Sequence, residues 1–424
     1  MKRPLHILKL SAESTTALGK LADQHARYLA VHPHSTLADF CHSVNVADAD
    51  QPFRAAIITS STDALHTQLT ALAHGETAEG VLTSNGAVGR VPQVAFLYTG
   101  HGAQRVDMGR QLYETQPVFR QAMQSCAALL EDVLARPLLD ILYPDTDPGA
   151  DSPLLTGMTY SQPALFAIEY ALSVLWQSWG ISPTIVTGHS VGEYAAACAA
   201  DVFSLEEGVK LVAARGRLMD ALPLKGLMVA VFANEEQVRE AIKPYAERVS
   251  IAVINGPKNV VISGECNAVE ETLAHLQKQR IRARRLAVAQ ASHSPLVDPM
   301  LDDLEAVAAA MALSAPQTTY VSGMTGTAVN GTHLTQPTYW REHQRLAVRF
   351  SDAMQTLFAA GFRHFLEIGP DNTLLSMARR LPLPEEELAW LPSLSANTAW
   401  ETLLTSLGTL YVQGAGVNWN KVSG

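Results

Sequence analysis

Five consecutive residues, Gly188-His189-Ser190-Val191-Gly192, set a hydroxyl between two glycines, directly after the strand-like run TIVT and before the helix-like run VGEYAAACAA. A strand that bends sharply into a helix pushes the central side chain out of the sheet edge, and the bend leaves no room for side chains two residues either way. A serine in that place can act as a nucleophile, with the N–H of Val191 at a helix N-terminus available to a developing oxyanion. The same residues would also suit a close-packed structural turn, so the chemistry needs partners. A serine hydroxyl needs a base. Among the 14 histidines, His293 follows the strand-like run RRLAVA in a short polar turn, QASHSP, which is a strand-end position suited to a site residue.

A cation is the third candidate. The helix opening at Ser204-Leu205-Glu206-Glu207 has the S-x-x-E capping pattern, and Arg215 falls four residues after Leu211 and three before Leu218, on the apolar stripe. A buried guanidinium requires a partner. That partner is either an internal carboxylate or the free carboxylate of a substrate, gripped by two parallel hydrogen bonds. The segment Thr99–Gln104 (TGHGAQ) ends an early strand and could supply a second oxyanion N–H; it matches neither a dinucleotide fingerprint nor a phosphate-binding P-loop.

The elements that must carry these groups alternate. Val94–Tyr98 reads as a buried strand, Pro117–Leu134 and Gln162–Trp179 as helices, Thr184–Thr187 as a strand and Val191–Ala200 as a small-residue helix. Pro117 and Pro163 suit first helical turns. This alternation predicts an α/β layer on a mainly parallel sheet. From Gly226 to Ala289 the rhythm becomes β, α, β, β, α, β, which predicts a ferredoxin-like α+β insertion. The first ninety residues form a small mixed unit, and the tail from Asn397 reads as one amphipathic helix and an extended arm. With 424 residues, 47% hydrophobic and 17% charged, the chain can bury two or three compact cores. A net charge of −10 offers no basic surface to nucleic acid or anionic lipid. The four cysteines (Cys41, Cys126, Cys198, Cys266) are far apart and show no metal-ligand spacing. No signal peptide or spanning segment is visible, so a cytoplasmic location is expected.

Taken together, FLYTGHGAQRVDMGRQLYETQPVF, SQPALFAIEYAL, GHSVGEYAAA, VAARGRL, INGPKNVVISG, ASHSPLVDPM, VRFSDAM and FLEIGP resemble, in order, the acyltransferase domain of modular type I polyketide synthases, relatives of the malonyl transacylase of fatty-acid synthesis. The resemblance implies an α/β fold with a hydrolase-like core. It divides the chain into a small N-terminal α/β linker domain that joins ketosynthase to acyltransferase (1–92), a large α/β subdomain (93–222 and 291–390), a ferredoxin-like subdomain (223–290) and a post-acyltransferase arm (391–424). It also implies an excised piece of a longer chain. Ser190 would be acylated and His293 its base. Arg215, 215 − 190 = 25 residues past the serine, would grip the malonyl carboxylate. A backbone carbonyl rather than an acidic side chain would orient the histidine, and His343 holds that place where the family more often has asparagine. Gln162 would line the pocket. The backbone N–H groups of Val191 and His101 would form the oxyanion site, with His101 standing where the family usually has glutamine.

The implied reaction needs no bound cofactor: an acyl-CoA acylates the serine, and the phosphopantetheine thiol of an acyl carrier protein removes the acyl group. Carrier and ketosynthase domains are the implied partners. Val191 and YSQPALF resemble the malonyl-specific pattern. Gln290–His293 (QASH) has Ser292 where malonyl enzymes carry a bulky phenylalanine, which opens space for an α-substituent. Malonyl is favoured, with methylmalonyl or another α-substituted malonyl as the alternative, since one methyl discriminates by only about 1–3 kcal/mol. Two other readings stand beside this one, a serine thioester hydrolase and a non-catalytic interaction module. The run Arg280, Arg282, Arg284 and Arg285 is a local basic patch that suits an acidic carrier or, equally, a solvated strand edge.

Overall fold

The computed structural model describes residues 3–32, 35–47, 49–145, 153–223, 226–288, 290–329, 331–396 and 398–422. Ala289 and Asn397, at which elements were expected to end or begin, lie outside the described residues. The strands in chain order are β1 (His6–Ala12), β2 (Phe53–Thr59), β3 (Val81–Thr83), β4 (Val94–Tyr98), β5 (Ile185–Gly188), β6 (Gly226–Val231), β7 (Val249–Gly256), β8 (Asn259–Glu265), β9 (Ala283–Arg285), β10 (Thr319–Val321), β11 (His364–Ile368) and β12 (Ala389–Pro392).

Five of them form the central sheet in the order β10-β5-β4-β11-β12, every pair parallel. Burial on both faces explains why VAFLY is apolar without alternation. Val94, Phe96 and Tyr98 face one core, while Ala95 and Leu97 face another that they share with Phe350, Met354 and Leu357. Helix Met158–Ser178 fills the first core, with 16 of its 21 residues buried, so it is apolar all round rather than on one stripe. It begins four residues before the predicted start, which places Pro163 in the second turn and not the first. The cause is a cap from a distant helix: the Asp220 carboxylate accepts the N–H of Met158 at 3.1 Å and of Thr159 at 2.7 Å.

The predicted insertion is present. β6, β7, β8 and β9 form an antiparallel sheet in the order β7-β8-β6-β9, with helices Glu235–Ile242 and Cys266–Lys278 in the two crossovers, the split βαβ arrangement of ferredoxin-like units. Arg282, Arg284 and Arg285 are exposed along its edge strand, where Arg285 pairs with Glu270 at 2.5 Å.

The first three strands form an antiparallel sheet, β1-β2-β3. One face (Leu8, Leu10, Ala55, Ile57) packs on helices Thr15–Val31 and Thr62–Ala73. The other (Ile7, Ala56, Ile58) joins the main core through the tail helix Ala399–Val412. A Cβ on Gly408 would lie 3.1 Å from Ala56 Cβ, so glycine lets that helix approach the sheet closely. The expected extended arm after the helix ends instead in a short helix, Trp419–Val422, because Asn418 N–H bonds to the Trp179 carbonyl (2.8 Å) and Trp179 Nε1 to that of Lys421 (3.1 Å). Among the described residues no helix is long and apolar enough to cross a membrane, and no cluster of side chains is arranged to hold a metal ion.

Candidate active site

Ser190 sits where β5 turns into helix Gly192–Ala199, with φ of 53°, the left-handed region that costs a side-chain-bearing residue about 1–3 kcal/mol. The glycines on either side make the bend possible. A Cβ on Gly188 would come within 2.3 Å of Glu193 Cα, and one on Gly192 within 2.4 Å of the Tyr98 carbonyl oxygen. His293 also has a left-handed backbone, φ of 56°. Both members of the candidate pair are therefore held in uncommon conformations by their surroundings.

The two meet. Ser190 Oγ lies 2.8 Å from His293 Nε2, and His293 Nδ1 lies 2.8 Å from the carbonyl oxygen of Leu346. A carbonyl can only accept, so Nδ1 carries the proton and the Nε2 lone pair faces the hydroxyl, the tautomer a base requires. Burial, then Arg215 and His343, draw His293 well below its usual range. The carbonyl was expected from His343 and comes from Leu346. Helix Pro337–Arg345 ends there, and the residue after its last turn turns its C=O to the base. The His343 side chain is buried instead 3.1 Å from Glu193, its ring edge-on to His293 with centroids 6.2 Å apart.

Arg215 is 1% exposed. Its guanidinium donates to Gln162 Oε1 at 2.6 Å and to Ser190 Oγ at 3.3 Å, and its Cζ lies 5.5 Å from the Tyr194 ring centroid. Nε is buried without a hydrogen-bond partner, and no carboxylate among the described residues pairs with this cation. Burial lowers its pKa, opposed by Tyr194. The internal ion pair is therefore not what holds it. Gln162 is kept in register by Met219, whose sulfur accepts its Nε2 at 3.1 Å.

His101 closes one side. Its Nε2 lies 3.0 Å from Ser161 Oγ and receives the amide of Gln104 at 3.1 Å, and burial, then Arg215, lower it to about 4, so the ring is neutral. Among the described residues the backbone N–H groups of His101 and Val191 donate to no protein acceptor. The loop bearing His101 is braced from behind by β11. Thr99 Oγ1 donates to Glu367 Oε1 (3.1 Å), which also takes the N–H of Leu374, while Oε2 takes that of Leu375, both at 2.9 Å. Burial pushes Glu367 up to about 8, against these hydrogen bonds. Gln290 is buried and Ser292 half-buried; neither hydrogen-bonds to Ser190, His293 or Arg215 among the described residues.

Sequence reasoning therefore located Ser190, His293, Arg215 and Gln162, which the structure joins, but not Leu346, Tyr194, Met219 or Glu367. Met219 was within reach, four residues past Arg215 on the same helix face. Leu346 acts through a main-chain carbonyl, which carries no residue-type signal.

Comparison with known proteins bears on what this constellation is. The family described as "Acyl transferase domain" matches residues 95–416, and the one described as "CurL-like, PKS C-terminal" matches 6–69. The chain is 38% identical to polyketide synthase GfsB of Streptomyces halstedii over 427 residues, covering 99% of the chain and 8% of that protein. It thus spans a small part of the curated synthases it matches. Among solved structures, the acyl transferase domain of ZmaA superimposes with a TM-score of 0.86 at 32% identity, covering 99% of this chain and 96% of that one. The malonyl CoA-acyl carrier protein transacylase of Coxiella burnetii superimposes with 0.67 at 26% identity, over 77% and 99%.

Proposed function

This chain belongs to the acyltransferase-domain family of modular type I polyketide synthases, with a ketosynthase–acyltransferase linker region at its N-terminus, and from that membership we propose that Ser190 carries an acyl unit from coenzyme A to an acyl carrier protein. One observation supports the reading above all others: a serine aligned on the free lone pair of a histidine, beside a buried cation that no carboxylate among the described residues neutralises.

In the first half-reaction Ser190 Oγ attacks the thioester carbonyl as its proton passes to His293 Nε2. The imidazolium that forms keeps its Nδ1–H on the Leu346 carbonyl. The oxyanion takes the free N–H groups of Val191 and His101, the first at a helix N-terminus. When the C–S bond breaks, His293 returns the proton to the departing thiolate. The second half runs in reverse, with the phosphopantetheine thiol of the carrier as nucleophile and His293 as its base. Arg215 takes the distal carboxylate of a dicarboxylic acyl unit through Nε and a terminal nitrogen, while Gln162 holds the guanidinium in place.

Malonyl is the favoured unit. Val191 is fully buried beside the nucleophile, which fits an unsubstituted α-carbon. Ser292, small and half-buried before the base, favours the second reading, a methyl or larger α-substituent. The remaining domains of the synthase, ketosynthase included, are the carrier's and the chain's assembly partners. Transfer is separated from hydrolysis by following the acyl-enzyme with and without a holo carrier protein. Loss of the acyl group that accelerates with carrier and appears on its thiol is the expected result. Loss to water at one rate in both cases refutes the transferase reading.

A further inference from the structure

Glu193 lies three residues past the nucleophile, in the first turn of its helix, and is 0% exposed. A carboxylate buried that deeply is costly unless paired and hydrogen-bonded, so its partners show what holds it. Oε2 accepts the N–H of Gly323 at 3.0 Å and lies 3.1 Å from His343 Nε2. Oε1 accepts the Tyr339 hydroxyl, and the main-chain carbonyl accepts that of Tyr320 at 3.0 Å. A Cβ on Gly323 would lie 2.4 Å from Oε2 and 2.6 Å from the Gly188 carbonyl oxygen, so the segment after β10 is pressed against the residues that open the serine's turn.

Tyr339 and His343 are four residues apart on helix Pro337–Arg345 and so share one face. The chain then reaches Leu346, whose N–H bonds back to the Glu342 carbonyl at 2.7 Å and whose own carbonyl fixes His293. A single helix thus grips the nucleophile's helix with one face and sets the base with its C-terminal end. We propose that Glu193 is a positioning residue: clamped by Tyr339, His343 and Gly323, it locks the nucleophile's helix to helix Pro337–Arg345 and so sets the distance between Ser190 Oγ and His293 Nε2. It touches neither reacting group and acts only through them. A residue retained for stability alone would change unfolding without changing this distance.

The inference rests on the acyl-serine reading, and its test separates the two. Single-turnover acylation by malonyl-CoA is measured by quenched-flow mass spectrometry for the wild type, Glu193→Gln, His343→Asn and the double variant, with thermal unfolding of each. A misplacement on the order of 1 Å can cost about 100-fold in rate. Glu193→Gln is therefore expected to acylate about 10- to 100-fold more slowly at saturating malonyl-CoA, with its half-saturating concentration within about twofold of wild type. His343→Asn, which leaves the hydrogen bonds of Gly323 and Tyr339 to Glu193 in place, loses less, and the double variant loses no more than Glu193→Gln alone, because both act through one contact. Should Glu193→Gln fail to fold, Tyr339→Phe removes one arm of the clamp and is expected to show an intermediate loss. A folded Glu193→Gln, or Tyr339→Phe where that stands in, that acylates at the wild-type rate overturns the clamp, as do additive losses in the double variant. No acylation of the wild type would instead overturn the acyl-serine reading itself.

Discussion

Replacing Arg215 by methionine separates recognition of the acyl unit from the chemistry of its transfer. The side chain is 1% exposed, hydrogen-bonds among the described residues to Gln162 and Ser190, and leaves Nε unused, so on the proposed reading a dicarboxylic substrate would complete it with two charge-assisted hydrogen bonds. Each contributes about 1.5–3 kcal/mol, or about 3–6 kcal/mol together. At about 1.4 kcal/mol per factor of ten, malonyl loading should fall by roughly 10²- to 10⁴-fold. Acetyl-CoA offers no distal carboxylate. Its loading should hold or rise, because methionine keeps the volume, withdraws a cation that depresses His293, and frees Ser190 Oγ from a competing donor. Rates of acyl-enzyme formation from each thioester, read by intact mass at early times, give the ratio directly. Parallel losses for malonyl and acetyl would refute the reasoning, since they would place Arg215 in the common chemistry or in the fold.

Three further outcomes follow from the same geometry. Because folding lowers the pKa of His293, the base stays unprotonated as the pH falls through 6.5, so the acid limb of kcat/KM for acylation should lie below that value, and Arg215→Met should move it upward; a limb at or above 6.5 in the wild type contradicts this. Gly192→Ala drives a Cβ to 2.4 Å from the Tyr98 carbonyl oxygen and should cost about 3 kcal/mol in urea unfolding, at the upper end for overpacking, along with most of the acylation. Glu367, raised to about 8 from 4.5, keeps its proton in the folded chain over a range where the unfolded chain has lost it; stability should therefore decline from pH 4.5 to 8 by on the order of a few kcal/mol, and Glu367→Gln should be less stable at pH 5 but show a flatter decline in unfolding midpoints.

The features that sequence reveals here are those written in residue type at short range. Gly188 and Gly192 mark the bend, the Ser204–Glu207 capping box forms as predicted, and Arg215 on an apolar stripe is buried. The β-α-β-β-α-β rhythm was legible for the same reason, since each crossover is local. What stayed hidden depends on residues brought in from afar. Asp220 caps a helix 62 residues before it and displaces Pro163 from the first turn. The acceptor for His293 is a main-chain carbonyl, so the choice between His343 and Leu346 turns on where one helix stops. Strands β10 and β12, of three and four residues, are too short to show periodicity and exist only as partners of β5 and β11. The buried Glu193 and Glu367 lie in motifs that the resemblance singled out, yet Glu193 bonds to Gly323, 130 residues away, and Glu367, besides its neighbours Leu374 and Leu375, to Thr99, 268 residues away.

The central claim, that Ser190 accepts an acyl group from a thioester with His293 as its base, is tested most directly by exposing the protein to malonyl-CoA alone and reading its intact mass, then mapping the adduct by peptide mass spectrometry. One malonyl equivalent on the peptide containing Ser190 is the expected result, absent in Ser190→Ala and strongly slowed in His293→Ala. An adduct elsewhere, or an unchanged mass in the wild type, would contradict it.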